Sequence, residues 1–235
     1  MKKFWMWLLP IISLINFGAE ALYISKMPEG QYPLHWNINM EVDRYGSKWT
    51  LLIPCVACIL IGIGYPIYRY CTRNNEDIQK NGKYELFCII PTMILTIALG
   101  WVILGNVNTR LIERYLPVSC CVFFGVLFIL MANVMGKVRQ NRYFGIKIKS
   151  TLSNQTVWKK AHRLCGKLGV LGGFVMLAAA VASFFIEKPA VLGWTMLSAL
   201  LVSVCLFGVI PTIYANRLYK QLGDDGCSVL SSKAE

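Results

Sequence analysis

Six apolar runs dominate this chain, and they limit its fold more than any motif does. They cover residues 1–23, Thr50–Tyr70, Tyr84–Leu104, Leu116–Met135, Leu168–Ile186 and Val191–Tyr214. Each is close to the ~20 residues a helix needs to cross roughly 30 Å of hydrocarbon at about 1.5 Å per residue. The loops between them are short, and no stretch is long enough for a soluble domain. Only 15% of the residues are charged and 56% are hydrophobic, against about 25% charged in a soluble globule. The expected fold is an all-α polytopic membrane protein with six transmembrane helices.

Charge orients the spans. Met131–Gly169 carries nine Lys or Arg, and no acidic residue occurs from Arg114 to Ile186. Basic residues in short flanking loops resist translocation, so this stretch belongs in the cytoplasm. The loop Cys71–Lys83 is also net basic, whereas the loops after spans one, three and five are nearly balanced. Six spans with these loops inside give an N-in/C-in topology, so charge and span count agree. The formal charge of +12 sits mainly at span ends, where it sets topology and attracts anionic lipid headgroups. Nucleic acid is therefore not an expected partner. The first run has a competing reading as a secretory signal, since Ala19-Glu20-Ala21 resembles a small-residue cleavage site. The topology closes with it retained as a span.

The chemistry-bearing side chains concentrate in two loops. The outer loop, residues 24–49, is punctuated by Pro28, Gly30, Pro33 and Gly46. Its aromatics Tyr32, Trp36, Tyr45 and Trp49 suit a membrane–water interface. In the inner basic loop, residues 136–167, Thr151 or Ser153 is expected to cap a helix beginning near Asn154. Within that helix Trp158, Ala161, His162 and Cys165 share one face, and Lys159, Arg163 and Lys167 share another. The pattern predicts an interfacial amphipathic helix leading into span five. Lipid contact explains its lysines; it does not explain His162 on the face of Trp158. Asn133, near the inner end of span four, is expected to bond a neighbouring helix. Gly145 permits a tight turn. With Asn133, Arg139 and Asn141 it could build a polar floor at the cytoplasmic mouth.

Other chemistries find little support. The nine cysteines fall mostly inside apolar runs, and Cys55-x-x-Cys58 lacks both the βαβ context of a redox motif and further zinc ligands. No paired acids, metal cluster or nucleophile with a base is evident, the weak exception being Cys165 three residues from His162. No enzyme, metal or cofactor is expected. The polar residues within spans are few, chiefly Asn16, Glu20, Glu85, Ser119 and Asn133, and both acids lie near span ends. A transporter or exporter of peptide or lipid is the alternative function, and that scarcity counts against ion coupling.

A resemblance adds to these readings. The inner run Asn133…Lys137-Val138-Arg139-Gln140-Asn141-Arg142-Tyr143-Phe144-Gly145-Ile146-Lys147, then Thr151-Leu152-Ser153-Asn154, Val157-Trp158 and His162-Arg163…Gly166-Lys167, resembles the signature of the SdpI family. Those are membrane immunity proteins against the sporulation-delaying-protein toxin of bacilli. The outer run Met27-Pro28…Pro33-Leu34-His35-Trp36-Asn37…Asp43-Arg44-Tyr45-Gly46-Ser47-Lys48 resembles the extracytoplasmic module that often precedes that signature. Met40 stands about where the family usually has Gly, and Lys147-Ile148-Lys149-Ser150 replaces an Arg-Thr-Pro-Trp-like tetrapeptide. The resemblance implies a bacterial cell-membrane protein in three parts: residues 1–115 with three spans and the outer loop, the SdpI-like residues 116–220, and a disordered cytoplasmic tail, 221–235. It implies immunity to a membrane-active peptide toxin met by the outer loop, with His35, Trp36, Asn37, Asp43 and Tyr45 as candidates. It further implies signalling by holding a small winged-helix repressor at the membrane. Asn133, Arg139, Asn141, Gly145, Trp158, His162 and Arg163 are the inner-loop candidates.

The topology is checked with reporter fusions. Alkaline phosphatase inserted within residues 24–49 should be active, and the same enzyme inserted within 136–167 inactive. The opposite pattern would invert the chain in the membrane.

Overall fold

The computed structural model describes residues 3–107, 109 and 111–223, apart from the side chains of 3, 5, 6 and 77. Its helices are α1 (Lys3–Ser25), α2 (Ile53–Cys71), α3 (Glu76–Asn106), α4 (Ile112–Met135), the one-turn α5 (Lys149–Leu152), α6 (Gln155–Ala182), α7 (Pro189–Val204) and α8 (Ile210–Leu222). A π-helical segment, Cys205–Val209, joins α7 to α8 in one rod. Six helical segments are long and apolar enough to cross a membrane, namely α1 to α4, α6 and the α7–α8 rod. Leu60, Ile94, Phe174, Trp194 and Leu201 are exposed along these segments, as expected where lipid is the solvent. The molecule is a multi-pass membrane protein.

Three local details depart from the sequence expectations. First, Cys71–Lys83 is not a loop throughout. Asn75 accepts from the Ile78 N–H (3.2 Å) and caps α3, which therefore begins at Glu76, inside the polar stretch. Second, the amphipathic stretch is no separate interfacial helix. It forms the first turns of α6, which continues unbroken through span five. Its cap is Asn154, which accepts from Val157 N–H at 3.0 Å; Ser153 instead ends α5. Third, the tail from residue 224 on lies outside the described residues, while Gln221 and Leu222 form the last turn of α8.

The outer loop folds as a hairpin. Strands β1 (Gln31–Trp36) and β2 (Val42–Ser47) pair antiparallel, Gln31 opposite Ser47 and Trp36 opposite Val42, with irregular register around His35. A 3-10 turn, Lys48–Leu52, leads into α2. Tyr32 is not interfacial: it is buried with Ile24, Met27, Leu51, Leu104 and Val107, and its hydroxyl donates to Pro28 O at 2.8 Å. Buried Lys48 donates to Met27 O at 2.8 Å and pairs with Glu29 at 2.6 Å. The hairpin is thus seated on the outer ends of α1 and α3.

The bundle is drawn tight by small residues. Gly125 on α4 faces Gly173 on α6: a Cβ at Gly125 would stand 3.0 Å from Gly173 O, and one at Gly173 would stand 2.7 Å from Gly125 O. Close backbone approach of this kind maximises dispersion contact where no hydrophobic effect drives association. Cys88 of α3 packs with Val134 and Met135 of α4 and Cys165 of α6, joining the early spans to the late ones.

Gly173→Leu should lower the thermal midpoint in detergent by an amount equivalent to about 1–3 kcal/mol, the usual cost of overpacking. Gly18→Ala, where a Cβ meets nothing within 4 Å, should leave it nearly unchanged. Fluorescence-detected size-exclusion after heating measures both.

Candidate functional site

The inner site is built on the first turns of α6. His162 is 1% exposed and uses both ring nitrogens. Its Nδ1 lies 2.9 Å from Trp158 O, and its Nε2 lies 3.0 Å from the amide of Ile146. The Ile146 N–H can only donate, so Nε2 is the acceptor and Nδ1 carries the proton. This geometry selects the neutral Nδ1–H tautomer. The Trp158 ring stacks on the imidazole with centroids 3.9 Å apart, and its Nε1 donates to Val138 O at 2.9 Å. One turn of helix thereby grips the inner loop at residues 138 and 146.

Gly145 sits between them with φ +116°, and a Cβ there would collide with the His162 Nε2. Asn141, 1% exposed, folds the intervening turn. Its Oδ1 accepts from the amides of Tyr143 and Phe144, both at 2.7 Å, and its Nδ2 donates to Arg139 O at 2.7 Å and Phe144 O at 3.1 Å. Arg139 and Arg163 are exposed. Asn133 does not join them: it is exposed, because the buried face of α4 there is Ala132, Val134 and Met135.

The structure adds a residue that the sequence reading missed. Asn81, 1% exposed, holds the main chain of Arg139 from both sides, donating to its carbonyl at 3.3 Å and accepting from its amide at 3.0 Å. It was hidden inside a stretch read as loop; the Asn75 cap followed by apolar Ile78 was the available signal. Cys165 is no nucleophile paired with His162. Its thiol donates to Phe207 O in the π segment at 3.0 Å, and the imidazole is fully engaged.

The outer site is a cavity of about 760 Å³ beneath the hairpin. Its roof includes His35, Trp36, Asn37, Ile38 and Met40. Its floor is apolar and comes from distant spans, among them Pro54 of α2, Ile103 of α3, Pro117 and Cys120 of α4, and Met196 of α7. The hairpin tip is tied off by Asn37, whose Oδ1 accepts from Asn39 N–H (2.9 Å) and Glu41 N–H (3.0 Å). Met40 adopts φ +62°, which accounts for the family glycine expected there; its side chain is buried. The tip rests on α7 at Gly193, where a Cβ would collide with Ile38 O. Of the sequence candidates, His35, Trp36 and Asn37 line the cavity. Asp43 pairs with His35 at 2.6 Å, and Tyr45 is exposed. The indole N–H of Trp36 is buried without an acceptor.

Both acids expected near span ends are buried in the bundle. Glu20 takes the Asn16 amide at 2.8 Å, and Asn16 in turn accepts from Trp101 at 3.1 Å. Glu85 pairs with Arg69 at 3.4 Å. Along α2 the contact of Asn16, the Glu20 partner, at Cys55 and that of Glu85 at Arg69 are 14 residues apart, or about 21 Å. Leu9, Cys58, Leu86 and Met93 pack in the same α1–α3 bundle between those levels.

Comparison with known proteins agrees with this layout. Residues 137–215 match the SdpI/YfhL protein family, and residues 11–59 match a domain family of unknown function (DUF1648). The immunity protein SdpI of Bacillus subtilis (strain 168) is 28% identical over 216 residues, covering 90% of this chain and 94% of that protein. Residues 137–215 are an SdpI/YfhL family segment. No solved structure gives a significant match. The family match starts at Lys137 and contains the whole inner site from Val138 to Arg163. The second match contains the hairpin and the start of α2. The six spans and this likeness together place the protein in a bacterial membrane.

The inner site predicts a coupled pair. Gly145→Ala should destabilise by more than about 1 kcal/mol, through its positive φ and the clash with His162. His162→Ala should cost about 2–4 kcal/mol, since it leaves the Ile146 amide unpaired and opens a void. In the His162→Ala background the Gly145→Ala penalty should shrink by roughly 1 kcal/mol, because the clash is gone. Strict additivity in detergent unfolding would contradict the contact.

Proposed function

We propose that this protein protects its host from a membrane-active peptide toxin by seating an apolar part of the peptide in the cavity under the outer hairpin. The observation that carries this is the cavity itself. It is roofed by a polar hairpin and floored by four spans, and with the topology expected from loop charge it would meet a peptide arriving at the outer surface. Its apolar floor suits side chains that would otherwise enter the bilayer. The buried Trp36 N–H supplies an unused donor for a peptide carbonyl. The likeness to an immunity protein over nearly the whole chain supports the same conclusion.

A signalling role for the inner end has one specific observation behind it. The α7–α8 rod meets the hairpin at Gly193 and the inner loop near its other end, where Ser150 donates to Asn216 at 2.6 Å. A toxin-dependent shift of that rod would alter the surface offered to a small winged-helix repressor. Transport of the peptide or of lipid is disfavoured. The buried polar groups Glu20 and Arg69–Glu85 sit at opposite ends of α2, with apolar packing between them.

The test is a toxin challenge of a sensitive bacterium. Expression of the chain should restore growth, and Met196→Trp, which fills the cavity, should abolish protection at an unchanged membrane level. Phe174→Ala, on an exposed face of α6, should protect like the parent. Full protection by Met196→Trp would remove the cavity from the mechanism.

A further inference from the structure

A second cavity, of about 490 Å³, opens at the inner end of the bundle among α3, α4 and the first turns of α6. Five cations line it: Lys80, Lys137, Arg139, Lys159 and Arg163. Among the described residues no acidic side chain does, and of these five cations only Lys80 has a carboxylate partner, Glu76 at 2.8 Å, in a largely exposed pair. General attraction to headgroups would need only scattered surface lysines. Here the cations converge on a concave site whose backbone is braced on two sides. Asn81 holds the main chain of Arg139, and the Trp158 indole holds that of Val138. Lys137 and Arg139 are therefore presented from a fixed segment, opposite Lys159 and Arg163 on successive turns of α6.

The remaining lining is suited to oxygen acceptors. Gln155, the first residue of α6, lies at the wall beside Lys159. The positive end of that helix dipole faces the same region, where an anion gains from partial charge as well as from the side chains. Five like charges around one concavity repel one another, and an anion there relieves repulsion that water only screens. A diester brings one charge and two free oxygens; a phosphate monoester, with three free oxygens and up to two charges, engages more of the cations.

We propose that this pocket is a binding site for a phosphate monoester or diester, either an anionic phospholipid headgroup or a small soluble phosphate. Either would be held by Lys137, Arg139, Lys159 and Arg163. An occupant would cross-link the segment after α4, α6 and, through Lys80, α3. It would thus stabilise the arrangement that His162 and Trp158 set up. The chain holds one internal competitor by sequence: Asp224 and Asp225 follow Gly223, whose carbonyl accepts from Asn154 at the α6 cap.

The test uses the full chain in neutral maltoside detergent at low salt. Inorganic phosphate, glycerol 3-phosphate and dihexanoyl phosphatidylglycerol are titrated by calorimetry. Saturable binding of at least one probe is expected. Lys159→Gln/Arg163→Gln should weaken it by about tenfold or more. Lys147→Gln/Lys149→Gln, outside the pocket, should change it less than about twofold. Tighter binding of the phosphatidylglycerol than of glycerol 3-phosphate identifies a lipid headgroup; equal binding identifies a soluble phosphate. Tighter binding in Asp224→Asn/Asp225→Asn would show the tail competing for the same site. Two outcomes overturn the proposal: no saturable binding by any probe, with or without the acidic pair, or equal weakening by the Lys159→Gln/Arg163→Gln and Lys147→Gln/Lys149→Gln variants. Both double variants must elute as the parent does, and the replaced side chains are exposed or half-buried, so folding is not at stake.

Discussion

A backbone amide turned toward the interior of a membrane bundle must find an acceptor, and Ile146 finds it in the ring of His162. The rest of the inner end follows from that bond. An imidazole that accepts at Nε2 must carry its proton at Nδ1, and the Trp158 carbonyl one turn back takes it. The ring is then fixed in the plane on which Trp158 stacks. Only glycine fits at position 145 between that ring and the turning chain. His162 is thus a structural brace whose protonation would set two N–H groups against each other. Lys137 and Arg139 gain their fixed backbone from Trp158, which stacks on this brace and holds Val138, and from Asn81, which holds Arg139.

Much of this was legible in the sequence, and the reason is physical. Hydrocarbon imposes length and apolarity on every span, so six runs could be read from composition and confirmed by loop charge. The face shared by Trp158 and His162 was legible too, since helical periodicity places residues four apart together. The hairpin was not legible. Its strands are short, carry two irregularities of register near His35, and lack clean alternation. Tyr32 looked interfacial because aromatics at a loop suit that place, yet it packs into a core assembled from α1, the 3-10 turn and α3. The outer cavity could not be read at all, because its floor is contributed by four segments far apart in sequence. Asn133 misled for a simpler reason. It is one residue out of phase with the buried stripe of α4, about 100° of helix rotation, and the stripe there is defined by packing against α6 rather than by polarity.

The unbroken course of α6 matters for the same reason. An interfacial helix followed by a separate span would let the basic loop move independently of the membrane segment. A continuous helix makes the gripped loop and the close Gly125–Gly173 crossing parts of one rigid element. The π segment opposite it fits this rigidity. Phe207 lies across Gly169, and the Phe207 carbonyl receives the Cys165 thiol. An extra residue in the turn lets the α7–α8 rod pass α6 at that point without a break.

Coupling between the two ends, if immunity is also signalled, must run through an element that touches both. The α7–α8 rod does so. From Gly193 under the hairpin tip to Asn216 beside Ser150 is 23 residues, or about 35 Å of helix. Such a rod transmits displacement only if a ligand binds two of its positions unequally. The outer contact meets that condition sterically. Ile38 rests on the bare backbone of Gly193, so a peptide that lifts the hairpin removes a contact available in one position and not the other. At the far end the rod is held both by an apolar cluster, Val157 and Ala161 of α6 against Ala215 with Ile148 and Leu218 beside them, and by the bonds Ser150 to Asn216 and Asn154 to Gly223. Movement of the rod is therefore passed to the inner loop and to the first turns of α6 together.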